Sequence, residues 1–417
     1  MTTNRRLKVS IIGAGLAGLS CALRLRSLGV DYHLYEASDD VGGRVRTDIV
    51  EDFRLDRGFQ VLLEAYPETQ RVLDYPSLEL ERFEPGAKVY FDGKFHTVAD
   101  PLRRPLHAFE SLQANIASLS DKLKVPFWKQ KIDQLSIKEI FTSHEQTTLE
   151  YLQDCGFSPI MIDRFFRPFL SGIFLETQLS TSSSMAKFVM KMMSTGAVAV
   201  PRFGMGAISN QLADRVGREN MSFNSIATNV TPTTVELQDG SVSQSDAVVI
   251  ATERTAAFRL LGQMEPSNSW TTVQCHYYAA PKAPINGAWL ALNGETEGPV
   301  NNLVVMSNVS ENYAPKNAHL ISVSVVDEQF KDSKKDVHSP IMNQLEEWFG
   351  NEVNAWEHLK TYTIPKALPK QPKGYFTERR IKPNSKGVYI CGDYCEMGSI
   401  QGAMHSGRMV AEKIHAR

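Results

Sequence analysis

The chain has 417 residues, 42% of them hydrophobic, enough to bury a substantial core and to form two domains. A formal charge of −2 and an isoelectric point near 6.6 leave no electrostatic footprint for nucleic acid. Five cysteines, an odd count without a CxxC pair, argue against a disulfide framework or a zinc knuckle.

The opening MTTNRRLKVS is too short and too polar for a signal peptide. No stretch approaches the ~20 apolar residues of a membrane span, so the expected location is a reducing cytosol. Leu7, Val9, Ile11 and Ile12 read as a buried parallel strand. It breaks into Gly13-Ala14-Gly15-Leu16-Ala17-Gly18, the glycine pattern of a dinucleotide fold. Gly13 makes the tight turn, Gly15 lets backbone approach a pyrophosphate, and Gly18 lets the helix pack on the strand. The spacing predicts a helix over 16–28, ended by Gly29. A second strand over 32–35 runs into Glu36, where an acid can hold a ribose hydroxyl and disfavours a 2′-phosphate. Gly42-Gly43-Arg44 adds backbone donors and a guanidinium fork suited to phosphate. The plainer reading of Arg44 is an exposed loop arginine. Leu55 to Gln60 (LDRGFQ) reads as a tight turn where backbone can meet a flat ring.

The run from Gly13 to Thr47 resembles the N-terminus of the flavin amine oxidase superfamily, which includes monoamine and polyamine oxidases, protoporphyrinogen oxidase and bacterial-type phytoene desaturases. The resemblance implies FAD. Its contacts would be Gly13, Ala14, Gly15, Ala17, Gly18, Glu36, Ala37, Gly42, Gly43, Arg44, Arg57, Gly58, Phe59 and Gln60.

Past this stretch, 66–86 reads as a helix followed by an extended segment, and 89–95 as a hairpin turning at Asp92-Gly93. From 101 to 196 the pattern becomes helical, with Leu102, Leu106, Phe109 and Leu112 at helical spacing. The runs MIDRFFRPF (161–169) and MAKFVMKMM (185–193) concentrate large, soft apolar side chains. Such stripes read first as core; the functional reading is the lining of a large greasy pocket or a membrane-facing mouth. A helix over 207–216, a hairpin of 226–230 with 234–237, and a strand through Val248, Val249 and Ile250 follow. The family resemblance places adenine against the main chain near Ala227. Strands over 303–306 and 319–326 and a helix over 340–349 form the second half of an antiparallel-sheet region. Lys366 reads as a solvated lysine in a proline-bounded turn.

The final segment is a short buried strand over 388–391, then Gly392-Asp393, then Gly398-Ser399-Ile400-Gln401-Gly402-Ala403 opening a helix over 403–414. An aspartate beside a glycine-rich helix N-terminus suits a flavin: the carboxylate accepts from ribityl hydroxyls and the N–H groups face the electron-rich end of the ring. It matches the C-terminal FAD segment of the superfamily, adding Gly392, Asp393, Ser399, Ile400 and Ala403 to the expected contacts. The expected fold class is therefore α/β, a Rossmann-like FAD/NAD(P)-binding domain (1–86, 200–265 and 385–417). It is interleaved with an α+β substrate domain of mixed antiparallel sheet and helices (87–199 and 266–384).

Three departures demote amine oxidation. Ser399 stands where amine oxidases often carry a cage aromatic. Ala279 or a neighbour stands where their lysine near the flavin belongs. No cysteine occurs in 362–369, where covalently flavinylated members place theirs, and Cys395 is expected on the wrong side of its strand for that bond. The expected cofactor is thus non-covalent FAD, and the expected activity is dehydrogenation or desaturation of a hydrophobic small molecule. Amine or amino-acid oxidation is the alternative, and a flavin-free binding protein of the escort type is a third. Residue patterns name no catalytic side chain, metal site or oligomeric state.

Overall fold

Val9, Ile11 and Ile12, with buried Ser10 among them, become strand β1 (Lys8–Ile12), buried from Val9 onward. This is a computed structural model, and it describes residues 6–99, 110, 114–326, 337–377, 384–385 and 387–417. Leu102, Leu106, Phe109 and Leu112 lie outside the described residues. Helix α1 (Leu16–Ser27) ends before Gly29, whose φ of +71° turns the chain into β2 (Asp31–Tyr35). The strand Met221–Ser222 pairs with β2, β2 with β1, β1 with Ala247–Ile250, and that strand with Val388–Ile390, all parallel. Asn384–Ser385 closes the edge antiparallel. Chain order therefore reverses between β1 and Ala247–Ile250, the position where doubly wound sheets open a ligand crevice.

The second sheet has seven strands: Glu357–Pro369, Trp270–Ala280, His319–Val325, Val300–Val305, Leu290–Asn293, Gly86–Phe91 and Lys94–Ala99, in that order. It is antiparallel except between Leu290–Asn293 and Gly86–Phe91. The predicted hairpin turns on Asp92 (φ +54°) and Gly93 (φ +70°). The C-terminal helix runs Ile400–His415, starting three residues earlier than its glycines suggested, because Ser399 caps it by accepting from the Gly402 N–H at 3.0 Å. Lys366 sits in the 13-residue strand Glu357–Pro369 and not in a turn; its ammonium meets Glu253 at 3.1 Å. Cys21 and Cys275 are buried and Cys155 is half-buried.

Asp56 ties the hairpin Thr47–Val50/Phe53–Asp56 to the seven-stranded sheet. It ends the strand Phe53–Asp56 at 1% exposure and accepts from the Thr47 hydroxyl, the Met205 N–H and the Tyr313 hydroxyl. Its carbonyl accepts from Tyr277 at 2.9 Å. Burial pushes its carboxyl up from 3.8 to about 6, against the pull of those donors. A raised folded pKa means the native state binds the extra proton, so stability is fullest below pH 4 and falls as pH rises toward 6. Asp56→Asn is expected to flatten that fall by about 3 kcal/mol, at ~1.4 kcal/mol per pKa unit. Urea unfolding of both proteins at pH 4 and 7 measures it, and equal slopes refute it.

Candidate active site

The glycines of the first loop divide by what a side chain would meet. A Cβ on Gly18 would lie 1.9 Å from the Gly13 carbonyl oxygen, so only glycine lets α1 lie on its own loop. A Cβ on Gly13 (φ +103°) would fall 2.9 Å from the Ala251 oxygen. A Cβ on Gly15 would meet nothing within 4 Å, because the space beyond it is cavity. The Gly42 N–H donates to the Ala14 carbonyl at 2.9 Å, which lays the second glycine pair against the first. Glu36, at the end of β2, accepts from the Ala14 N–H at 2.6 Å with one oxygen and from Ser38 N–H and hydroxyl with the other.

Arg44 joins the two ends of the chain. One nitrogen of its guanidinium meets Asp393 at 2.8 Å, another donates to the Ala367 carbonyl at 2.8 Å, and the group lies 5.7 Å from the Trp270 ring centre. Two arms of the expected phosphate fork are thus taken by protein, and the exposed-arginine reading of Arg44 fails. Asp393 is 3% exposed and also accepts from the Tyr394 N–H. Gln60 donates to the carbonyls of Arg44 and Arg57, and Arg57 forks onto Asp48. Gly58 (φ +93°) has Ile364 2.5 Å from where its Cβ would be.

These residues border one cavity of about 2800 Å³, several times the ~300–1,000 Å³ of a drug-sized pocket. Gly13, Gly15, Ala17, Glu36, Ala37, Gly42, Gly43, Arg44, Arg57, Gly58, Phe59, Gln60, Ala227, Gly392, Asp393, Ser399, Ile400 and Ala403 all line it. Ala14 and Gly18 do not: both lie behind the wall, Ala14 holding Glu36 through its N–H and Gly18 serving the packing of α1. The cavity continues between the helices Leu119–Gln134, Ile137–Thr142, Arg167–Phe174 and Ser183–Thr195. There the Met and Phe stripes divide. Phe188 and Met192 are core away from the cavity, Met161, Phe166 and Met185 are buried but border it, and Phe165, Phe169, Ile173, Met190 and Met193 are half-buried on its wall. The five-residue π-helical turn Ile162–Phe166 sets this phase, turning Phe165 outward to stack on Phe169 at 5.7 Å.

Sequence reasoning missed Thr252-Glu253-Arg254 and the stretch Ala367–Gln371, which also line the cavity. The first carried a signal: it follows a parallel strand beside β1, where the crevice opens. The second carried none, since it reaches the site by pairing across the other sheet. On the strand Trp270–Ala280 the cavity residues are Thr271 and Val273, and Ala279 is not among them; neither side chain is a base. Cys395 borders the cavity, and burial pushes its thiol well above the ordinary value of 9.0, so the nucleophilic thiolate is absent near neutrality.

A glycine loop, a buried acid and a capped helix N-terminus thus border one long cavity. The chain matches the family described as flavin containing amine oxidoreductase over residues 16–415 and belongs to it; its cofactor is FAD. It is 29% identical over 172 residues to protoporphyrinogen oxidase 2 of Arabidopsis thaliana, covering 40% of this chain and 32% of that protein. It is 34% identical over 91 residues to a zeta-carotene-forming phytoene desaturase of Myxococcus xanthus, covering 20% and 17%. These matches span a third or less of those relatives. In fold it is similar to an oxidoreductase from Methanosarcina mazei (TM-score 0.77, 15% identity, 97% and 100% covered). It is similar also to putrescine oxidase bound to putrescine (TM-score 0.74, 16% identity, 99% and 100% covered).

Proposed function

We propose that this chain is an FAD-dependent dehydrogenase or desaturase that takes hydride from a hydrophobic substrate, with FAD held non-covalently. The apolar half of the cavity carries the reading. Phe141, Phe165, Phe169, Ile173, Met190 and Met193 line it, and three of the charged side chains nearby have protein partners. Asp133 accepts from Ser194, Glu176 from Thr181, and Arg82 pairs with Glu64.

Bound FAD would supply the hydride acceptor. The chain's own groups do the rest. Glu36 has about four acceptor sites and spends three on protein, leaving one site, on the oxygen that meets Ala14, for a ribose hydroxyl. Gly15 leaves room for pyrophosphate, and Ala227 offers its main chain to adenine. The Gly58–Gln60 turn, Asp393 and the first N–H groups of the helix Ile400–His415 would hold the flavin end, the helix dipole favouring negative charge there. The aromatic and methionine walls exclude water from the reacting C–H. The same reading assigns a cofactor domain to three segments (1–86, 200–265 and 385–417) and a substrate domain to two (87–199 and 266–384).

The experiment is anaerobic mixing of the purified yellow protein with porphyrinogens, polyene precursors and an amine panel, followed by flavin absorbance. The expected result is bleaching by an apolar substrate and none by amines. Bleaching by amines alone overturns the reading, as does a protein that stays colourless with added FAD.

A membrane contact belongs to the same proposal. Leu119, Leu123 and Phe127 stand one turn apart on the helix Leu119–Gln134 and are 63%, 58% and 69% exposed. Lys122, Lys124 and Lys131 accompany them, and Val125 and Lys129 of the same helix line the cavity. No described helix is long and apolar enough to cross a membrane, so contact would be at one surface. Leu123→Ser with Phe127→Ser is expected to lower sedimentation with anionic vesicles about tenfold; unchanged sedimentation sinks the proposal.

A further inference from the structure

Arg254 is a buried cation that the fold pairs only loosely. It follows the strand Ala247–Ile250 by four residues, is 9% exposed, and lines the cavity. Its Nε is buried with no hydrogen-bond partner among the described residues. The nearest carboxylate oxygen, Oε1 of Glu265, lies 3.9 Å away and already accepts from the Trp270 indole at 2.7 Å. Glu253, its chain neighbour, is committed to the Thr255 and Ala256 N–H groups and to Lys366. The guanidinium stands 5.4 Å from the Phe258 ring centre, a contact that does not repay taking an arginine out of water. A buried charge persists only when something pairs with it.

Position says what that is. Thr252 N lies 3.2 Å from where a Gly13 Cβ would be, so the segment carrying Arg254 backs the glycine loop where a pyrophosphate belongs. Arg44, the cation expected there, already spends two arms on Asp393 and Ala367. A dinucleotide brings two negative phosphates to a wall where, among the described residues, Arg254 is the buried guanidinium with an unbonded Nε.

We infer that Arg254 pairs with a phosphate oxygen of the bound dinucleotide and is the main electrostatic anchor of its pyrophosphate. The inference rests on the FAD reading above. A fork of parallel N–H donors suits a phosphate, and the pairing would neutralise on binding a charge that the empty chain buries at a cost.

The test titrates deflavinated wild type, Arg254→Met and Arg254→Lys with FAD and with riboflavin, which lacks the phosphates, and follows flavin fluorescence. Thermal unfolding of each deflavinated protein is the second readout. Arg254→Met is expected to weaken FAD at least tenfold, leave riboflavin unchanged, and melt no lower than wild type without ligand. Arg254→Lys is expected to fall between them. Unchanged FAD affinity overturns the inference, as does an equal loss for FAD and riboflavin. So does a lower melting temperature in the deflavinated Met variant, which would mark Arg254 as a structural residue. A wild type that takes up neither flavin overturns the cofactor reading as well, a result distinct from the others because it precedes any substitution.

Discussion

Gly18→Ala is expected to cost about 3 kcal/mol or more and to abolish FAD uptake, whereas Gly15→Ala stays folded and loses only the cofactor. The two differ by one methyl in one loop. At position 18 the methyl would sit 1.9 Å from the Gly13 carbonyl oxygen, a clash with backbone that no rotamer relieves, so α1 must lift off the loop. Lifting α1 also disturbs the C-terminal helix, because Gly407 packs against Ala17 so closely that its own Cβ would lie 2.0 Å from the Ala17 oxygen. At position 15 the backbone is extended (φ −74°, ψ 177°) and the methyl meets nothing, so stability changes by about 0.5 kcal/mol or less. That methyl instead occupies the space where pyrophosphate would approach, and FAD affinity falls at least about tenfold, or ~1.4 kcal/mol. Urea unfolding of deflavinated protein together with FAD titration separates the pair. Equal stabilities for the two variants would refute the account.

The second large effect is at Arg44. Arg44→Met leaves Asp393, 4% exposed at its side chain, as a buried carboxylate without its counter-ion. Breaking such a pair from one side costs on the order of 3 kcal/mol. The same change unties the N-terminal loop from Ala367 and Asp393, so holoprotein should be isolated with little flavin. Adding Asp393→Asn to Arg44→Met removes the stranded charge and is expected to restore more than half of the lost stability without restoring FAD binding. Unfolding free energies of the two single variants and the double variant complete the cycle. If the double variant is as unstable as the sum of the singles, the pair is not coupled and the reading of Arg44 as the bridge between the chain ends is wrong.

Local patterns in this chain are legible where the physics is local. Gly13 to Gly18 must turn sharply and let a helix approach a strand, and only glycine at those spacings does so. Glu36 follows β2 by a fixed strand length, and Asp92-Gly93 supplies two consecutive residues with positive φ. Such features are decided within a few residues, which is why the loop, the hairpin and the C-terminal helix could be read in advance. The start of that helix was misplaced because a serine cap at 399 outweighs the glycine at 402.

Lys366 shows the limit from the other side. Two prolines suggested a turn, but pairing with Trp270–Ala280, ninety residues earlier, holds the segment extended. Met and Phe at helical spacing likewise could not be sorted in advance into core and wall. The π-helical turn at Ile162–Phe166 shifts the phase of the helix, and only the facing helices say which side is cavity.

The amino-acid sequence by itself determined the dinucleotide loop, the acid beside it and the second cofactor segment at the far end of the chain, because each depends on neighbours a few residues away. Only the tertiary structure decided that Arg44 clamps Asp393 and that Cys395 reaches the cavity as a protonated thiol. Those depend on distances between segments hundreds of residues apart, set by two sheets packed around one cavity.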